Sequence, residues 1–117
     1  MFKEVSKELL GFIEKSYSNF HVIYNMKEEL NQNGFVELFE GEKWELKEGG
    51  RYYVSRNETS LIAFQIPAKD FVGFNIMASH SDFPTFKLKE NAEMCVEDQY
   101  VKLNVEKYGG MICSPWF

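Results

Sequence analysis

The hydrophobic period of this chain changes once, at Gly34. Before Gly34, apolar residues recur at helical spacing; after it, they alternate or run together among β-formers. That change restricts the fold to two helices followed by strands. Residues 3 to about 17 predict an amphipathic helix with Val5, Leu9, Phe12, Ile13 and Ser16/Tyr17 on one stripe. Ser18-Asn19 offers a stop and a fresh N-cap. A second helix is predicted from about Phe20 to Gln32, with Phe20, Ile23, Met26 (or Lys27) and Leu30 on its stripe. Asn33-Gly34 ends it, Gly34 supplying the left-handed residue past the cap. Helices joined this tightly are expected to pack as a helical hairpin.

Short extended pieces are predicted at Phe35–Leu38 and Trp44–Leu46. Arg51–Ile66 reads as a hairpin around an Asn57-Glu58-Thr59 turn. Its second arm, Ser60–Ile66, is nearly all apolar, the pattern of a strand buried on both faces. Phe71–Ala78 reads as another such strand, delivering the chain to Ser79-His80-Ser81-Asp82. Phe83-Pro84 breaks the pattern. Thr85–Lys89 reads as an alternating strand and Glu90–Glu93 as a loop; Cys95–Glu97 and Gln99–Glu106 alternate again, as a strand exposed on one face.

A chain of 117 residues supports one core without disulfide staples. Eleven Phe, six Tyr and two Trp could fill it. Thirteen Lys and Arg against eighteen Asp and Glu leave no basic footprint for nucleic acid. No apolar run reaches a membrane span, and the N-terminus has no apolar signal core. Cys95 and Cys113 form no CxxC pair and read as reduced thiols. The expectation is a cytoplasmic protein with neither nucleic acid nor membrane as partner. The ending is unusual: Trp116 and Phe117 are large aromatics where solvated residues are customary, so they either dock or mark a cut.

Only His80-Ser81-Asp82 offers a local constellation for chemistry. A His at the carboxyl end of a buried strand stands where open α/β sheets bind ligands. An Asp two residues on shares its face if the chain is extended, and can fix the imidazole tautomer as carboxylates do behind metal-bound His. Spacing alone favours a structural histidine with Asp82 capping a turn. His21 reads as a partly buried, hydrogen-bonded structural residue. Glu37, Glu40, Glu42, Glu45 and Glu48 read as solvated charges.

Three segments, in order, raise the first reading. Met77–Lys89, containing His80-Ser81-Asp82-Phe83-Pro84, resembles the His-(Thr/Ser)-Asp-Ser-Pro segment of the aspartyl-aminopeptidase family of zinc peptidases. Ser18-Asn19-Phe20-His21-Val22 resembles that family's Ser-Pro-Phe-His segment. Val105–Phe117, with Tyr108-Gly109-Gly110 and Ser114-Pro115-Trp116-Phe117, resembles its Tyr-Gly-Gly…Ser-Thr-Trp-Phe/Leu-Asp-Arg stretch.

The resemblance implies an α/β catalytic domain, represented here by two helices and mixed strands over 1–88, followed at 89–117 by the start of an inserted β-rich domain used in oligomer assembly. It implies an aminopeptidase that releases N-terminal, acidic residues from peptides with two zinc ions. His80 matches a zinc ligand and Asp82 the catalytic-site carboxylate that supports it. The bridging Asp would follow Phe117, and the base Glu would lie further on. This portion alone is then expected to be inactive and to hold zinc weakly, and its parent to be a homo-oligomer. Three positions depart from the pattern: Phe83 stands for Ser, Asn19 for Pro and Pro115 for Thr. Two other expectations stand beside the enzyme: a short scaffold protein that keeps the fold without the chemistry, and a small binding domain with a structural His80.

Overall fold

The computed structural model describes residues 2–112 and 114. It comprises α1 (Phe2–Lys15), α2 (Asn19–Gln32), β1 (Val36–Glu37), β2 (Arg51–Arg56), β3 (Ser60–Gln65), β4 (Thr85–Val96) and β5 (Tyr100–Tyr108). The order of two helices followed by strands is the one the change of period predicts. Two compact units divide at Asp82/Phe83. Among the described residues, no helix is long and apolar enough to cross a membrane. Cys113, Pro115, Trp116 and Phe117 lie outside the described residues, and with them the expected docking of the terminal aromatics. The Cys95 thiol is free and exposed.

In the first unit, α2 is capped at both ends by the residues its sequence offers. Ser18 is extended and its Oγ accepts from the His21 N–H. At the other end Gly34 has φ +77°. Gly34 N–H donates to the Asn31 carbonyl and Phe35 N–H to the Leu30 carbonyl, the paired bonds of a Schellman ending.

The sheet order is β1-β2-β3, with β1 parallel and β3 antiparallel to β2. Side chains of β2 alternate between its faces. Tyr53 and Ser55 reach residues of α2 and β1, and Tyr53 is 1% exposed. Tyr52 points the other way, packing on its cross-strand partner Phe64 at 5.8 Å; Trp44 lies 6.4 Å from the same ring. The 38–50 connection therefore covers this face. Tyr52 Oη accepts from the Lys47 N–H at 3.0 Å. With Ile23 also 1% exposed, α2 covers the opposite face. Burying such a side chain stabilises by about 1.5–3 kcal/mol.

The β2–β3 hairpin turns at Asn57 and Glu58, both with positive φ, closed by Thr59 N–H to the Arg56 carbonyl. That is the arrangement of a type I′ turn, whose twist matches paired strands.

Several expectations do not hold. Ser60–Gln65 is not buried on both faces: β3 is an edge strand and Ile62 is 71% exposed. Phe71–Ala78 forms no strand, because no described segment supplies its ladder partners; Val72, Ile76 and Met77 face solvent. Trp44–Leu46 is loop, with Trp44 Nε1 donating to the Phe39 carbonyl. The first helix stops at Lys15, and the hairpin packing of α1 on α2 is slight. Asn25 Nδ2 donates to Ser16 Oγ, but Val5, Leu9, Leu10 and Ile13 all remain exposed. The physical reason is that α2 spends its buried position, Ile23, within the core formed with the sheet.

The second unit is a two-stranded antiparallel sheet, β4-β5. The expected loop at Glu90–Glu93 belongs instead to β4. Pairing passes from Leu88↔Val105 to Glu93↔Leu103, so β4 carries the extra residues as an irregularity inside one long strand. Glu97 and Asp98 repeat the positive-φ pair of the first hairpin.

Candidate metal-bearing segment and its anchor

Residues 79–82 follow the irregular stretch from Phe71 and have no strand ladder. His80 and Asp82 come together despite this. The imidazole Nδ1 is 2.6 Å from the Asp82 carbonyl oxygen and 3.3 Å from Asp82 Oδ1. Both partners are acceptors, so Nδ1 carries the proton. In the neutral ring the lone pair then sits on Nε2. The His80 side chain is 80% exposed, so nothing bulky closes over that nitrogen. This is the tautomer a metal-binding imidazole needs, fixed by a neighbouring carboxylate and carbonyl.

The segment is tied to the sheet through Ser81, whose Oγ donates to the Thr59 carbonyl at 3.0 Å. Thr59 closes the β2–β3 turn. The local chain thus alternates: His80 outward, Ser81 inward to the hairpin, Asp82 back under the imidazole.

Among the described residues, no three His, Cys, Asp or Glu side chains cluster as a metal site. His80 fits one ligand position, with an exposed imidazole of defined tautomer. It does not complete a co-catalytic zinc pair, which takes several more ligands.

His21 is hydrogen-bonded, as expected, with Nδ1 2.9 Å from Ser18 Oγ and its ring edge-on to Tyr17 at 5.6 Å. It is exposed rather than partly buried. Its surroundings are those of a cap.

Glu37 was misassigned by its sequence context. It is half-buried within a polar network joining α2, β1 and β2. Lys27 Nζ is 2.8 Å from Glu37 Oε1, donates to Ser55 Oγ at 3.4 Å, and reaches Glu58 Oε1 at 3.4 Å. Ser55 Oγ donates to Glu37 Oε1 at 3.0 Å, and Tyr53 Oη donates to Asn31 Oδ1 at 3.0 Å. Burial pushes the Glu37 carboxyl up, but the bonds from Lys27 and Ser55 outweigh it and hold the group below the usual range. The Lys27 ammonium is raised, chiefly by its bond to Glu37. Tyr53 is raised, chiefly by burial. The sequence signal was faint: a Lys at a stripe position of α2, and a Glu flanked by Val36 and Leu38. Glu40, by contrast, is exposed and pairs with Arg56 at 2.7 Å on the surface.

An open depression of about 350 Å³ lies at the end of α2, lined by Met26, Glu29, Leu30, Asn33, Phe35 and Arg51. It contains neither His80 nor Asp82.

Comparison with known proteins decides the family. Residues 12–117 match the family described as Aminopeptidase I zinc metalloprotease (M18). The chain belongs to this family. A probable M18 family aminopeptidase 2 of Clostridium acetobutylicum is 49% identical over 117 residues, covering 97% of this chain and 27% of the relative. A cryo-EM structure of an Ape4 and Nbr1 complex superposes with a TM-score of 0.92 at 36% identity, over 98% of this chain and 22% of that one. The mApe1 dodecamer of S. cerevisiae matches at 0.74 and 30% identity, over 95% of this chain and 26% of that one. The chain spans about a quarter of the length of the M18 relatives it matches. The α+β order of two helices and mixed strands is thus the fold of M18 aminopeptidase structures over this portion.

Proposed function

We propose that these residues form the first part of a zinc-dependent aminopeptidase that releases N-terminal residues, acidic ones preferentially, from peptides. Membership of the M18 family supports the reaction class. The observation that carries the site is the His80 Nδ1–H facing two Asp82 oxygens, which leaves Nε2 exposed.

In this reading His80 Nε2 is one zinc ligand. Asp82 holds the imidazole in the right tautomer and compensates charge on it. Bound zinc would supply an activated water and polarise the peptide carbonyl. Residues 1–88 contribute to the catalytic domain, and 89–117 begin the inserted β-rich domain. The division of the chain into two compact units at Asp82/Phe83, a few residues earlier, supports a two-part organisation. The resemblance of the His80 segment to aspartyl aminopeptidases supports the acidic preference. The dodecameric mApe1 relative supports a homo-oligomeric parent.

In this reading the 117 residues alone are expected to bind zinc weakly and not to turn over substrate, because a co-catalytic pair takes more ligands than one His. The test uses the complete reading frame containing this sequence. With zinc it should hydrolyse aspartyl and glutamyl p-nitroanilides faster than leucyl ones. His80→Ala should lower kcat/KM by at least about 10³-fold, the scale on which a lost catalytic group is felt. Undiminished activity in the variant, or zinc-dependent turnover by residues 1–117 alone, would refute the reading.

A further inference from the structure

His80 and Asp82 lie in a four-residue segment, 79–82, that has no ladder of its own. Two residues apart in an irregular stretch, a His and an Asp can adopt many relative orientations. Ser81 Oγ ties this stretch to the folded sheet by its bond to the Thr59 carbonyl, in a half-buried position. The acceptor itself is well fixed. Thr59 closes a turn whose central residues are both left-handed, and its N–H donates back to Arg56. The preceding Glu58 is within 3.4 Å of Lys27 on α2, which is in turn held by Glu37 and Ser55. A continuous set of contacts therefore runs from α2, through the β2–β3 turn, to the residue between His80 and Asp82.

We propose that Ser81 is a positioning residue: its hydroxyl, anchored on the Thr59 carbonyl, sets the backbone course that brings Asp82 under His80 Nδ1. The inference builds on the reading of His80 as a metal ligand and adds a role for a residue that touches neither metal nor substrate. The anchoring chemistry requires a hydroxyl donor. An apolar side chain of similar size would leave the Thr59 carbonyl without this partner and release the segment.

The experiment compares Ser81→Thr, Ser81→Val and Ser81→Ala with the parent, all as the 117-residue chain. Long-range ¹H–¹⁵N NMR reads the His80 ring nitrogens at a pH where imidazole is neutral. The parent and S81T should show the proton on Nδ1. S81V and S81A should shift to the Nε2–H form that free imidazole favours, while Tyr53 and Ile23 signals stay unchanged. Retention of Nδ1–H in S81V and S81A overturns the proposal, as does an S81T that behaves like S81V. Loss of the Tyr53 and Ile23 signals in both apolar variants also overturns it, since Ser81 would then hold the fold and not the site. An Nε2–H proton in the parent itself is a different failure: it removes the tautomer on which the metal-ligand reading stands.

Discussion

Lys27 on α2 and Glu37 on β1 meet at 2.8 Å, joining the helix to the parallel edge of the sheet. The two side chains are mostly shielded from solvent, 19% and 25% exposed. Their partners extend the contact to Ser55 and Glu58. Removing one member leaves the other charge partly desolvated. Lys27→Met should therefore destabilise the first unit by about 2 kcal/mol, less than a fully buried pair would lose. Urea unfolding followed by circular dichroism measures this; a change below about 0.5 kcal/mol would show the pair to be a surface contact.

The same network sets a pH window. Glu37 is depressed in the fold, so its contribution is present above the unfolded carboxylate pKa and is lost as pH falls through its lower, folded value. Lys27 is raised, so its contribution is full below the unfolded lysine pKa and is lost as pH rises through the folded value. Tyr53, raised by burial, works in the same direction as Lys27 on the alkaline side. Stability should hold level from about pH 5 to about pH 9 and fall on both sides. In Lys27→Met the acid limb should shift to higher pH. An acid limb that K27M leaves in place would rule out Glu37 as its source.

Gly50 has no room for a side chain. A Cβ there would clash with Tyr52 Oη and with the edge of its ring. The ring is buried and packed against Phe64, so it can yield only by disturbing that face. Gly50→Ala should cost about 1–3 kcal/mol. Thermal unfolding followed by near-UV dichroism of the Tyr52–Phe64–Trp44 cluster is the check; an unchanged melting temperature would mean the ring moves freely.

The β4–β5 turn places Glu97 and Asp98 at φ +54° and +52°. Asn-Gly is the pair this geometry favours. Glu97→Asn with Asp98→Gly should stabilise the hairpin by about 1 kcal/mol, mostly by relieving left-handed backbone strain. Slower amide exchange across Val96 to Tyr100 would register the gain, and faster exchange would count against it.

Unpaired apolar surface should drive association of the isolated chain. Val72, Ile76 and Met77 project from backbone that has no ladder, and the stripe of α1 is open. Sedimentation velocity should show a weight-average mass that rises with concentration, and the double substitution Val72→Lys, Met77→Lys should reduce it. A concentration-independent monomer would contradict this.

Much of the architecture could be read from local pattern. The helix-to-strand switch at Gly34, the Ser18 cap, the Gly34 ending and the Asn57–Thr59 turn follow from backbone chemistry within a few residues. His80 and Asp82 also meet, but across a bend at Ser81 and with the shorter contact to the Asp82 carbonyl, not by sharing the face of an extended strand. What failed was burial. Apolar runs at Ser60–Ile66 and Phe71–Ala78 record the environment a strand is suited to, but not whether a neighbour is present to provide it. Glu37 failed in the opposite direction: its charge suggested full solvation, and a lysine ten positions earlier holds it half-buried.

Sequence by itself determined the two helices, the β2–β3 hairpin, the α2 caps and the candidate ligand, because each depends on dihedral preferences and hydrogen bonds between near neighbours. Tertiary structure alone decided which Tyr faces α2, which strand is an edge, and that Ser81 hangs the His80 segment on Thr59. Those contacts join residues 22 or more positions apart in two of the cases that matter most, Tyr53 with Asn31 and Ser81 with Thr59. No local preference encodes them; they arise when one hairpin is packed between a helix and a loop.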